Sequence, residues 1–326
     1  MTYSQADITV PYAVANFAEI RHKGYYYVDK TNYIPLLERY KAPVFLRPRR
    51  FGKSLLVSML AHYYDRNMAT QFKDLFGGTW IGEHPTNEHN QYLVVRYDFS
   101  TTSVASKKED IEKNFNAVNC SPLRTLVERN RDLFGDFKFR EDGNASNMLI
   151  EVCEFIASHN LPPLYILIDE YDNFTNQLLV VYKDSLYQDL TTGESFLRTF
   201  FKVIKAGIGE GTIRTCFCTG VLPVTMDDLT SGYNIAEMLT LKPEFTNLLG
   251  FTHEEAAQYL KYVINKYGPQ ASFEELWTLI LNNYDGYHFL PNAEPLFNST
   301  ILTYFLKNFA ELKGGIPTEM VDENLR

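Results

Sequence analysis

The sequence predicts an α/β protein: a parallel sheet with helices on both faces, plus a smaller C-terminal helical region. Three observations predict it. Short apolar, β-branched runs alternate with stretches of helical spacing through about the first 250 residues. One run, Ala42-Pro43-Val44-Phe45-Leu46, passes through a basic loop directly into the helical pattern SLLVSMLAHYY. After Gly250 the strand signal stops and only helical spacing remains.

The elements follow in order. GYYYVDKTNYIPLLERY opens with an aromatic, β-rich stretch, Tyr25 to Val28, and leads to a helix starting near Asp29 or Thr31. Pro35 falls in its first turn, where a missing N–H does least harm. The run 42–46 reads as a buried strand, followed by loop and helix. YLVVRYDF (92–99) is the next strand, and mostly helical, polar sequence continues to about residue 159. PPLYILIDEYD (162–172) is a buried strand ending in acids. A helix is expected over about 194–208, a strand over TIRTCFCTGV (212–221), and a fifth strand over AEMLTL (236–241). In THEEAAQYLKYVINKYG, Thr252 with Glu255 three residues later forms a capping-box pattern. The expected division is an α/β domain over 1–250, including an N-terminal strand and helix segment, and a helical, lid-like region over 251–326.

Composition narrows the function classes. The 326 residues are 45% hydrophobic and 14% aromatic, which is globular composition with enough chain for one large or two moderate domains. The formal charge is −9, from 31 basic and 40 acidic residues, so there is no general pull toward nucleic acid. Cys120, Cys153, Cys216 and Cys218 lack paired zinc-type spacing and are expected as buried, reduced thiols, with 216 and 218 on one face of a strand. The N-terminus lacks a basic start followed by an apolar stretch, and the longest apolar runs are too short to span a bilayer. A soluble, cytoplasmic protein without membrane partners is the expectation.

The candidate chemistry centres on FLRPRRFGKSLLVSML (45–60). Phe51-Gly52-Lys53-Ser54 resembles the end of a phosphate-binding loop, but Arg47 stands where the usual G-x-x-x-x-G-K-[S/T] pattern has glycine. Between strand and helix, such a loop aims helix N-terminal N–H groups at an anion. Lys53 could then reach terminal phosphate oxygens, and the Ser54 hydroxyl a Mg²⁺ ion; a solvated basic turn is the plainer reading. Asp169 and Glu170 end an apolar strand about 115 residues later. An Asp so placed can hold the metal's shell and an adjacent Glu can polarise the attacking water, whereas two solvated acids at a strand end are the plainer alternative. Thr219 could bond that water or the terminal phosphate as a sensor, or simply end a strand before a glycine turn.

Taken in order, YYYVDKT, RPRRFGKSLLVSML, ILIDEYD, TGV, LLGFTHEE and YDGYHF resemble the predicted AAA-ATPase-like family common in bacteria, over nearly the whole chain. In that family the loop reads R-P-R-R-F-G-K-S, so Arg47 is its ordinary residue. The resemblance implies an additional-strand P-loop ATPase core, with the sensor strand between the loop strand and the Asp-Glu strand, and ATP and Mg²⁺ as ligands. Carried over by position, Arg49, Arg50, Phe51, Gly52, Lys53, Ser54 and Leu55 would meet the nucleotide. Ser54 and Asp169 would meet the metal, Glu170 would activate water, and Thr219 would act as sensor. Many longer relatives add a C-terminal nuclease-like domain; the last seventy or so residues here contain no D-x_n-[D/E]-x-K arrangement, so nuclease chemistry is not expected of this segment.

Replacing the loop's first glycine implies a non-glycine residue in a left-handed conformation, at a cost of roughly 1–2 kcal/mol. Arg47, Arg49, Arg50 and Lys53 also repel one another, which a bound polyanion would relieve. The leading expectation is an ATP-binding domain with Mg²⁺-dependent hydrolysis, coupled to the helical region or a C-terminal partner. A nucleotide-binding switch or scaffold without significant turnover is the alternative. A small-molecule kinase is disfavoured because Asp169-Glu170 suits water activation. Arg198 and Arg214 are candidate arginine fingers by composition only. Tyr284-Asp285-Gly286-Tyr287 is expected as an aromatic-packed corner, with a lid contact to nucleotide or to a partner domain as the sharper alternative.

Overall fold

A computed structural model describes residues 9–102, 108–141, 143–173, 195–223, 233–268 and 271–321. Its centre is a five-stranded, all-parallel sheet: β1 (Pro43–Leu46), β2 (Leu93–Asp98), β3 (Leu164–Asp169), β4 (Ile213–Gly220) and β5 (Glu237–Met238), in the order β2-β3-β4-β1-β5. β4 therefore lies between β1 and β3. The expected fifth strand shrinks to two exposed edge residues, because the run around it is not covered on both faces.

The pleat explains why both faces are covered. Val44, Leu46, Val95, Tyr97, Ile166, Ile168, Cys216 and Cys218 enter one core. Phe45, Val94, Tyr165, Leu167 and Phe217, at the alternate positions, enter another. The helices are α1 (Phe17–His22), α2 (Ile34–Leu37), α3 (Lys53–Tyr64), α4 (Phe72–Phe76), α5 (Trp80–Glu83), α6 (Lys108–Arg129), α7 (Arg131–Phe134), α8 (Ala145–His159), α9 (Phe196–Glu210), α10 (His253–Tyr267), α11 (Phe273–Tyr284) and α12 (Ser299–Glu311). α6, α8 and α9 cover the first face, while α1 to α5, led by α3, cover the second. Cys216 and Cys218 share a face as expected, with sulfurs 3.8 Å apart, and all four cysteines are buried and free.

A third core joins α10, α11 and α12. The capping box at Thr252 and Glu255 is present, and Ser272 with Glu275 forms a second at α11. Val10, Tyr26 and Val28 pack into this third core, far from them in sequence. Tyr25 to Val28 is irregular rather than a strand: Tyr26 stacks on Tyr259, ring centroids 4.2 Å apart, so its aromatics serve packing and not pairing. The helix expected near Asp29 begins as a 3₁₀ turn at Thr31–Tyr33, with Asp29 Oδ1 accepting the Thr31 N–H at 2.9 Å, and continues as α2 with Pro35 in its first turn. No helix among the described residues is long and apolar enough to cross a membrane.

Candidate functional site

The loop 47–52 leaves β1 at the carboxyl edge of the sheet. Arg47 N–H donates to the Gly220 carbonyl at 3.1 Å, continuing the β1–β4 ladder by one residue. Gly52 caps α3 with φ 90°, and Arg50 is left-handed with φ 72°. A Cβ on Gly52 would meet its nearest atoms at 3.7 and 3.9 Å, so the conformation, not the space, asks for glycine. The left-handed cost expected at Arg47 falls on Arg50 instead.

Arg47 also leaves the expected cluster of repelling cations. It is fully buried, its guanidinium between the Phe45 ring (4.5 Å) and the Phe289 ring (3.9 Å). It donates to the carbonyls of Leu46, Thr240 and Thr246 at 3.1, 3.2 and 3.0 Å. Burial pushes its pKa down to about 10, still charged at neutral pH. This arginine braces the loop from behind.

Lys53 is 5% exposed, and its Nζ donates to the carbonyls of Arg47 (2.9 Å) and Pro48 (3.0 Å). Burial lowers its pKa, while Glu170, Asp169 and Asp172 pull it back up. A cavity of about 660 Å³ opens beside it. Arg49 to Leu56 and Glu170 line it, facing N-terminal residues such as Tyr12, Tyr27 and Lys30. All seven loop residues expected to meet a nucleotide therefore border one space.

On the acidic side, Asp169 follows Tyr165 and Leu167 on the face that α3 covers, and Thr219 follows Phe217 on the same face. Asp169 is 1% exposed and accepts the Thr219 hydroxyl proton at 2.7 Å. Thr219 is fully buried and does not line the cavity. Its hydroxyl is directed at Asp169, the nearest buried acceptor. Glu170 does face the cavity. Its φ is 51°, uncommon for a non-glycine residue, and such strain clusters at functional positions. Burial raises its pKa above the ordinary carboxylate value, with Asp169 adding to the rise and Lys53 opposing it.

Several site residues are not singled out by the sequence. Asp172 is buried and accepts the N–H groups of Val221 (2.9 Å) and Leu222 (2.7 Å), tying the acidic segment to the end of β4. Gly220 permits this approach: a Cβ there would sit 2.5 Å from Asp172 Oδ1. Asn298 Nδ2 donates to the Arg49 carbonyl at 3.2 Å, while Thr300 N–H (3.2 Å) and Oγ1 (2.7 Å) donate to that of Arg50. Phe51 packs edge-on to Tyr287 (4.9 Å) and Phe289 (5.5 Å). YDGYHF is thus the expected aromatic corner, and its aromatics rest on the loop itself. One signal for this pairing exists: both stretches belong to the same ordered motif set.

The finger candidates lie elsewhere. Arg214 sits near the start of β4, away from Gly220 at its end, and is bonded to Glu88 at 3.0 and 3.3 Å. Arg198 is on α9, which covers the sheet face opposite α3.

The molecule is an α/β protein with a parallel sheet, and its basic strand-to-helix loop and buried acidic strand end lie together at the carboxyl edge, where open α/β sheets take ligands. Residues 11–230 match the family described as Predicted AAA-ATPase, and the chain belongs to that family. It is also similar to an uncharacterized protein of the vnfD 5′ region of Azotobacter chroococcum mcd 1, at 26% identity over 256 residues, covering 76% of this chain and 43% of the relative. The chain spans less than half the length of that relative.

Proposed function

We propose that this chain is an additional-strand P-loop domain that binds ATP with Mg²⁺ and hydrolyses it, with residues 251–326 acting as a lid-like region. The observation that carries this reading is the convergence of Lys53 and Glu170 on one cavity at the sheet edge, with Asp169 held behind them by Thr219. Its volume suits a nucleotide. The strand order, with β4 between β1 and β3, supports the same core.

The residues divide the work by position. The α3 N-terminus and Lys53 attract the phosphates, and Lys53 exchanges its bonds to the Arg47 and Pro48 carbonyls for phosphate oxygens. Ser54 and Asp169 would hold Mg²⁺; one hydroxyl and one carboxylate, completed by phosphate and water, suit this hard cation. A Mg²⁺ ion held there would supply charge neutralisation at the phosphates. Glu170 takes the proton of the water that attacks the γ-phosphorus as the bond to the ADP oxygen breaks. Thr219 positions Asp169 through their hydrogen bond.

Calorimetry with Mg·ATP tests the reading. Lys53→Ala should weaken binding by at least tenfold. Glu170→Gln should keep binding and lose about 10²-fold or more of steady-state phosphate release. Because the base works ionised and its pKa is raised, turnover should fall with decreasing pH at a point above the ordinary carboxylate value of 4.5. A wild-type protein with no affinity for Mg·ATP would sink the proposal. The switch reading without turnover draws on the engagement of Lys53 within its own loop and of Arg214 with Glu88. Phosphate release that disappears in Glu170→Gln counts against it.

A further inference from the structure

Asp169 has a second partner beside Thr219. The Arg96 guanidinium stands 3.6 Å from Asp169 Oδ2, while Thr219 holds Oδ1. The separation is too long for a hydrogen bond and short enough for strong Coulomb attraction. The sheet register explains the meeting: Arg96 pairs with Leu167 and Asp98 with Asp169, so Arg96 and Asp169 lie on the same α3-covered face, one pleat apart.

The two partners differ in their freedom. The Asp169 side chain is 2% exposed and fixed by Thr219; that of Arg96 is 40% exposed. A buried carboxylate requires a compensating charge, and a long side chain at the solvent edge supplies one that can also leave.

We propose that Arg96 is the stand-in cation of this site: it compensates Asp169 in the metal-free protein and yields Oδ2 when a divalent cation arrives with the nucleotide. The proposal rests on the reading of Asp169 as a metal ligand. Arg96 is then a positioning residue that acts through Asp169 and sets how readily the site takes up metal. Two cations compete for one carboxylate, so removing the resident one should strengthen binding of the incoming one.

The test uses Mn²⁺ as probe, its free concentration read by electron paramagnetic resonance during titration of the protein with saturating ADP. Arg96→Ala should bind Mn²⁺ roughly two- to fivefold more tightly, the scale of one partly screened charge pair. Arg96→Lys should stay near wild type, and the gain should shrink in high salt. Thermal unfolding adds a readout that a merely structural arginine would not give. Arg96→Ala should melt below wild type without metal and match it with Mn·ADP bound. Arg96→Gln, which keeps length and polarity, repeats both measurements should the alanine variant fail to fold.

An unchanged or weaker Mn²⁺ affinity in Arg96→Ala and Arg96→Gln overturns the proposal, as does an equal loss of stability in both states. Wild-type protein that binds no ADP overturns the nucleotide-site reading together with it. ADP binding with an unmoved Mn²⁺ curve removes the Arg96 proposal alone.

Discussion

Arg47 stands where phosphate loops usually carry glycine, and its surroundings say why glycine would be the worse residue here. Two aromatic faces and three backbone carbonyls converge on its guanidinium. Those carbonyls belong to β1, to the segment after β5 and to the 3₁₀ turn at Pro243–Phe245 with its capping residue, so the side chain joins three stretches of chain. Restoring the common pattern with Arg47→Gly removes hydrogen bonds of about 1 kcal/mol each and aromatic contacts of about 1–2 kcal/mol. Relief from burying a charge offsets part of this. The expected net loss is about 3 kcal/mol in urea unfolding, with Arg47→Lys intermediate because an ammonium cannot fork among three acceptors. An Arg47→Gly variant as stable as wild type would show that the position is ordinary loop. Nothing at residues 45–54 in isolation reveals this bracing, since Phe289 and Thr246 arrive from distant sequence.

At the level of elements, two capping boxes of the same pattern have different surroundings. Among the described residues, Glu275 at the start of α11 bonds only within its own capping box, and it is exposed. Glu255 at the start of α10 closes its box and also pairs with Lys30 at 2.6 Å, and Lys30 reaches the Asn247 carbonyl at 2.8 Å. Burial depresses the Lys30 pKa, and Glu255 opposes that shift. Glu255→Gln should cost about 3 kcal/mol by leaving the ammonium buried and uncompensated, while Glu275→Gln should have a much smaller effect. Lys30→Met combined with Glu255→Gln should recover part of the loss; a double variant no better than the single one refutes the pairing argument. The capping box was legible in the sequence because caps are local, as were β1 to β4, whose apolar runs carry their own signal. The link from Glu255 to VDKT was not, because it joins residues 225 positions apart. Arg96, Asp172 and Asn298 escaped for the same reason: each acquires its role from sheet register or from a distant carbonyl. Tyr25 to Val28 misled because aromatic residues favour strands and packed helical surfaces alike.

For the whole molecule, the consequence is that the loop is held from several sides, although Arg49 and Arg50 are exposed. Its front borders the cavity, its back holds Arg47 between two rings, and its carbonyls at Arg49 and Arg50 receive the first residues of α12. Phe51 rests on the 284–289 corner, which follows α11 directly. A ligand that reorders the loop should therefore act on α12, whose first residues bond the Arg49 and Arg50 carbonyls, and on the corner after α11, against which Phe51 packs. Hydrogen exchange can measure this coupling. With Mg·ADP bound, amide protection should rise over residues 49–60 and also over 284–311. Asn298→Asp keeps the side-chain oxygen that caps α12 while removing the amide donor to Arg49, and Thr300→Val removes the hydroxyl donor to Arg50 at nearly constant shape. In the double variant the rise over 49–60 should persist and that over 284–311 should fall sharply. An undiminished response in the helical region would mean that the remaining donors to the Arg50 carbonyl, Ser299 Oγ and the Thr300 N–H, or the aromatic contacts of Phe51 and Arg47 carry the coupling. No response in the wild-type helices would mean that the loop and the helical region are packed together without being linked.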